Sequence, residues 1–94
     1  MSSIKSTSSS HVKASEMNSR MEQDAVEVAR EALSRASSER EAAEHIKRHF
    51  DQKHRPNNWS CIVGRNFGSY VSYAQDHFIN FSVGPTDVLL FRNS

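Results

Sequence analysis

The sequence predicts an α+β fold in which two helices pack on an antiparallel β-sheet, in a homodimer with two sheets face to face. Three observations predict it. Two windows in the first half of the chain repeat apolar residues every three or four positions. From Trp59 onward the period changes to two. The run Val88-Leu89-Leu90-Phe91 is apolar on both faces, yet two helices cover only one face of a sheet. A second copy of the same sheet is the expected cover for the other.

The elements follow in chain order. Met1 to Ser10 holds six serines and a threonine, with Ile4 its one sizeable apolar residue after Met1. Such a segment does not offset its own ordering entropy, so residues 1–10 are expected as a mobile tail and 11–94 as the domain. A solvated leader is the plain expectation for the tail, and a regulatory phosphorylation site the sharper one. His11 to Ser15 offers one short strand with Val12 inward. Between Met17 and Ala36, residues Met17, Met21, Ala25, Val28, Ala32 and Leu33 fall on one stripe. That stripe reads as core. Glu31 and Arg35 stand four apart on the wet side and are spaced to pair.

Ser37-Ser38 breaks the pattern. Ser38 with Glu41 fits a capping box, which satisfies two free N–H groups at the start of a second helix. Ala42, Ala43, Ile46 and Phe50 make its apolar stripe, and Glu44 and Arg48 are spaced to pair across a turn. The helix is expected to end near Lys53 or His54, because the residue before Pro56 avoids helical geometry. Asn57-Asn58 completes a turn. Trp59, Cys61 and Val63 then alternate with Ser60, Ile62 and Gly64. A second run spans Phe67 to Tyr73. A third, His77 to Val83, sets Ile79, Phe81 and Val83 against Phe78, Asn80 and Ser82. Gly84-Pro85-Thr86 is a tight connection before the last strand, Asp87 to Arg92.

Composition narrows the function. A chain of 94 residues makes one domain, of marginal stability without help. Cys61 is the only cysteine, so no internal disulfide supplies that help, and a small buried apolar role is expected for it. Oligomerisation is the helper left standing. Twelve basic and 11 acidic residues leave a net charge of +1, which gives no field for nucleic acid. No apolar run reaches the roughly 18 residues of a bilayer span, and the start lacks the apolar core of a signal peptide. A soluble intracellular protein, with no nucleic acid partner and no membrane insertion, is the expectation.

No chemistry of reacting side chains stands out. His45 and His49 have the i,i+4 spacing of two metal ligands, but no third ligand and no adjacent glutamate accompany them. They read as solvent-facing or helix-end histidines. Gly64 to Gly68 lacks the Gly-Lys-Ser/Thr ending of a phosphate loop. Ser69 has no base and orienter. Lys47-Arg48-His49 reads as a solvated helix face. No catalytic residue, metal or cofactor is expected. The stretch from Trp59 to Val71 instead carries strand-forming residues around a glycine-bearing bend, and an exposed strand binds partners through its own N–H and C=O groups. A dimeric peptide-binding module, a small enzyme and a purely structural dimer are the classes weighed, and the first is favoured.

At Ile62-Val63-Gly64-Arg65-Asn66-Phe67-Gly68-Ser69-Tyr70-Val71 the chain resembles the eight-kilodalton dynein light chains. Glu22-Gln23-Asp24-Ala25-Val26-Glu27, His45-Ile46-Lys47-Arg48, Phe50-Asp51, His77-Phe78-Ile79 and Leu89-Leu90-Phe91 extend the resemblance, which runs from about Val12 to Asn93. It implies a strand-swapped homodimer, in which the strand at Phe67–Ser72 joins the partner's sheet. It also implies two grooves, each accepting an extended peptide beside the swapped strand, without cofactor or catalysis. The groove residues it implies are Glu39, Arg40, Phe67, Gly68, Ser69, Tyr70, Val71, Ser72, Tyr73, Phe78, Asn80 and Ser82. Those of the dimer interface are Ser60, Asn66, Phe67, Ser69, Tyr70 and Val71. The implied partners are the dynein intermediate chain or other proteins with short extended motifs, in the cytoplasm and on the microtubule cytoskeleton. A hub independent of the motor is the alternative.

The residues of the groove fit that role. Gly68 lacks a side chain, so a guest backbone can approach closely. Glu39 and Arg40 begin the second helix, where free N–H groups and the positive dipole end attract acceptors. Several positions depart from the family. Arg40 stands for the usual lysine, Asn80 and Ser82 for two tyrosines, and Asp87 for a small apolar residue. Ser72 and Tyr73 stand for a threonine and a histidine. Ser60 replaces the interface histidine, so the family's acid-driven dissociation is not implied here.

Overall fold

The computed structural model describes residues 10–54, 58–65 and 77–92. The strand expected from Phe67 to Tyr73 and residues 1–9 of the expected tail lie outside them. The elements run β1 (Ser10–Ser15), α1 (Ser19–Arg35), α2 (Glu39–Lys53), β2 (Trp59–Gly64), β3 (Phe78–Val83) and β4 (Thr86–Arg92). The four strands form one antiparallel sheet in the order β1-β3-β4-β2. The helices pack on each other and on one face of this sheet.

Local chemistry explains where the helices start and stop. The Asn18 side chain accepts from the Met21 N–H at 2.9 Å and caps α1. The helix therefore begins after Met17, whose own N–H donates to Ser15 Oγ at 3.0 Å. Met17 still enters the core, from outside the helix. Ser38 caps α2 by accepting from the Glu41 N–H at 3.1 Å. The second arm of the expected box differs: the Glu41 carboxylate accepts from the Ser37 N–H at 2.7 Å and the Ser37 hydroxyl at 2.8 Å. It satisfies the residue before the cap instead of the cap itself. On the wet faces Glu31 and Arg35 pair at 3.8 Å. The expected Glu44–Arg48 pair does not form among the described residues, whereas Lys47 and Asp51 close to 2.6 Å.

Small residues let the layers approach. Ala25, Ala29, Ala32 and Ala42 are fully or almost fully buried, so the helices sit close to one another and to the sheet. Ile46 and Phe50 project from α2 onto Ile79, Phe81, Val88, Leu90 and Trp59 of the strands. Burying each large side chain of this set contributes about 1.5–3 kcal/mol. The alternation of β4 is settled by this packing. Val88 and Leu90 face the helices, and Leu89 and Phe91 face away. The β3–β4 hairpin closes through Gly84-Pro85, with Val83 opposite Thr86. Gly84 has φ of 60°, and proline fixes the next φ near −65°, which is the two-residue II′ turn that matches strand twist.

Candidate functional site

The two sheet edges are chemically unlike. β1 pairs with β3 in a register that slips between Val12 and Ala14, so Lys13 is the extra residue of a bulge. The Lys13 ammonium donates to the buried Asp87 carboxylate at 2.9 Å. Val12, expected inward, is 39% exposed, so the helices do not cover this edge. At the other edge β2 pairs with β4 without a break from Trp59 opposite Arg92 to Gly64 opposite Asp87. Its residues Trp59-Ser60-Cys61-Ile62-Val63-Gly64 carry no charge. Ile62 is 47% exposed and shares the helix-free face with Leu89. Charge and bulging blunt a strand edge, and regular uncharged backbone invites another strand.

A corner fixed by polar contacts leads into β2. Asp24 of α1 accepts from His49 Nε2 at 3.0 and 3.1 Å and from His54 Nε2 at 2.7 Å. An ionised carboxylate only accepts, so both rings carry a proton on Nε2. Burial pushes the Asp24 carboxyl up, but the hydrogen bonds and charge of His54 and His49 outweigh it and hold the group below 3.8, its ordinary value. The Trp59 indole donates to the His54 carbonyl at 2.7 Å, and the Trp59 N–H donates to Asp51 Oδ1 at 3.0 Å. The Phe50 ring meets His54 at 4.5 Å and Trp59 edge-on at 4.9 Å. Asp51 is likewise raised by burial, but Lys47 and the Trp59 N–H bring it below its ordinary value. The start of β2 is thus tied to the end of α2, and that end to α1.

The residues proposed from sequence are placed as follows. Glu39 and Arg40 are exposed in the first turn of α2. Phe78, Asn80 and Ser82 lie on the helix-free face of β3, and Ser60 lies on the same face of β2. Phe78, Asn80, Asp87 and Leu89 are buried already within the single chain. Asn66, Phe67, Gly68, Ser69, Tyr70, Val71, Ser72 and Tyr73 lie outside the described residues. His45 is exposed as expected, whereas His49 is half-buried against Asp24. The Asp24 corner and the Lys13–Asp87 pair went unread in the sequence, since only the fold brings these residues together.

Cys61 sits half-buried beside the core, and burial pushes its thiol up to about 12, so it is inert as a nucleophile. No group of three or more metal-binding side chains able to hold an ion occurs among the described residues. No described helix is long and apolar enough to cross a membrane. A cleft of about 290 Å³ opens between the helices, lined by Ala32, Arg35, Ala36, Glu41, Glu44, His45 and Arg48. Both acidic and basic groups line it, and no residue of β2 does.

Two helices packed on one face of a four-stranded antiparallel sheet, as the described residues form it, define a small α+β domain. The family model described as dynein light chain type 1 matches residues 9–93, and the chain belongs to that family. Among solved structures, the dynein light chain-like domain of the Fasciola hepatica calcium binding protein FhCaBP2 superposes with a TM-score of 0.77. It is 19% identical over 93% of each chain. A mercury derivative of that domain gives a TM-score of 0.73 at 20% identity, over 90% of this chain and 92% of that one. These likenesses establish the fold. The family is generally non-catalytic, and membership implies a dimer, protein partners and a cytoplasmic, cytoskeleton-associated setting.

Proposed function

We propose that this chain is a non-catalytic dimeric light chain that binds extended peptide segments of partner proteins by β-strand addition. Two grooves at the dimer interface hold the segments and promote partner dimerisation or assembly on the dynein intermediate chain. The observation that carries the reading is the uncharged, unbroken β2 edge with Ile62 exposed beside it. The swapped strand of a second copy adds there and covers Ile62, the exposed large apolar side chain of the helix-free face. Glu39 and Arg40, exposed at the start of α2, hold a polar side chain of the guest. Two identical grooves give avidity for a dimeric partner, on the order of 100-fold where the spacing permits.

The test is sedimentation of the full chain, followed by titration with extended peptides bearing a Thr-Gln-Thr-like core. A dimer that takes up peptide is expected, and Gly68→Val is expected to lose the peptide while the dimer persists. A chain that stays monomeric at high concentration and binds no peptide rejects the proposal.

A further inference from the structure

The helix pair is closed at one end and open at the other. Where α1 begins and α2 ends, Asp24 is shared by His49 and His54. Toward the α1–α2 junction the helices leave the cleft of about 290 Å³. Its charged groups are unevenly committed. The Glu41 carboxylate already accepts from the Ser37 N–H at 2.7 Å and the Ser37 hydroxyl at 2.8 Å. Arg35 lies 3.8 Å from Glu31 with both side chains more than half exposed, so that pair holds it loosely. Arg48 and Glu44 make no ion pair or hydrogen bond among the described residues. Two available guanidiniums and the His45 ring thus share the cleft with one uncommitted carboxylate. The guanidinium fork matches the geometry of a phosphate.

The chain before Ser10 enters from this same end. Ser10 lies opposite Val83, and the Glu16 N–H donates to the Phe78 carbonyl at 2.9 Å, so β1 runs from the Gly84 end of the sheet to the Phe78 end. α1 then starts at Ser19 and keeps Ala25, Val28, Ala29 and Ala32 on the core, which carries Arg35 back toward the Gly84 end. Residues 1–9 span about 30 Å at most when extended. They hold Ser2, Ser3, Ser6, Ser8 and Ser9, and Lys5 is their only charged side chain. Unmodified, they offer Arg35 and Arg48 no anion and do not offset their own ordering entropy. A phosphate on one serine adds a charge of about −1.5 to −2 and three acceptor oxygens. We propose that a phosphoserine of residues 1–9 docks in the cleft between α1 and α2, held by Arg35 and Arg48. A protein kinase supplies the modification from a nucleoside triphosphate. The serine Oγ bonds to the γ-phosphorus, the bond from that phosphorus to the β-phosphate oxygen breaks, the nucleoside diphosphate leaves and the hydroxyl proton is released. Glu44, the uncommitted acid of the cleft, opposes the docked phosphate and gives the test a sign.

The test uses the full chain with phosphoserine installed during synthesis at Ser3, Ser6 or Ser8, one position per protein. Phosphorus resonance followed against pH is expected to show, for at least one position, a second ionisation about half a pH unit or more below that of the same protein unfolded in urea. The backbone amides of Ala36, His45 and Arg48 are expected to shift with it, equally at every protein concentration. Arg48→Gln should return both signals to those of the unmodified chain, and Glu44→Gln should lower the ionisation further. Both side chains are exposed, and Arg35→Gln serves if Arg48→Gln does not fold. An unfolded-like ionisation at all three positions, or shifts that survive loss of the arginine, overturn the proposal. Shifts that appear only as concentration rises overturn it too, since the phosphate would then come from another molecule.

Discussion

At one edge of the sheet, β1 bulges at Lys13 and leaves Ser10 through Ala14 exposed; at the other, β2 runs six residues in unbroken register with no charge. The two strands are equally short and flank the same central pair. What separates them is how each deals with the hazard of an open edge. β1 uses a bulge and a lysine, the devices that stop strands from recruiting neighbours. β2 uses neither, and its entry is held by Trp59 against Asp51 and His54. An edge that is held in place yet left unblunted is suited to take a strand from elsewhere.

Ile62→Lys is the strongest way to break this comparison. It places a lysine on β2 where β1 already has one. Self-association is expected to weaken by about 2 kcal/mol or more, roughly thirtyfold, since an apolar side chain is lost from the contact and a charge is buried there. Sedimentation over a dilution series measures this, while the melting temperature of the single chain stays near the parent's. An unchanged dimer would remove β2 from the interface.

The corner behind β2 gives the next effect. Asp24→Asn keeps one acceptor but loses the charge that two imidazole N–H groups share. A loss of about 1–3 kcal/mol is expected, as for hydrogen bonds to a charged group. The pH dependence has a definite sign. Asp24 and Asp51 lie below 3.8 in the folded chain, so their contribution is present above that pH and is lost as pH falls through the lowered values. Melting temperatures followed from neutral pH down to about pH 2 should drop more steeply below pH 4 for the parent than for Asp24→Asn. Parallel curves would show that the carboxylate is not carrying the corner.

These features also mark where sequence reasoning reaches its limit. The helices were legible because their signals are local: Ala25, Val28 and Ala32 on one stripe, and Ser38 three residues before Glu41. The Glu41 carboxylate still turned to Ser37, since a donor one residue earlier competes equally well. Asp51 prevailed over Glu44 as the acidic partner on α2, and its other bond, to the Trp59 N–H, exists only in the folded chain. Asp24 lies 25 and 30 residues from the histidines it binds, so no periodicity pairs them. Val88-Leu89-Leu90-Phe91 was ambiguous by composition and was resolved by packing against Phe50 and Ile46. The order β1-β3-β4-β2 depends on distant pairings that hydropathy does not encode. The resemblance supplied the groove residues, most of which lie outside the described part of the chain.

Ser38→Ala sharpens the comparison by acting behind both edges equally. Loss of the cap is expected to cost about 1 kcal/mol, a fall of roughly 4–8 °C in melting temperature for a domain this size. Association through β2 should remain as in the parent at temperatures where the chain is folded. A weaker dimer would mean that the start of α2 itself touches the second copy.

Lys13→Val is the converse of Ile62→Lys and has the smallest expected effect on stability. The Lys13 side chain is 31% exposed and that of Asp87 10%, so the pair is partly screened, and its loss is expected to cost about 0.5–1 kcal/mol. The upper end applies because Asp87 is left without its cation, and Asp87→Asn in the same chain should recover part of the loss. The informative readout is association. With its lysine gone, β1 loses one of its two edge defences, and species larger than a dimer should appear as concentration rises, because in the proposed dimer β2 is engaged and β1 is not. Light scattering would detect them. If Lys13→Val stays dimeric at every concentration, the bulge alone protects β1, and the lysine serves only to neutralise Asp87.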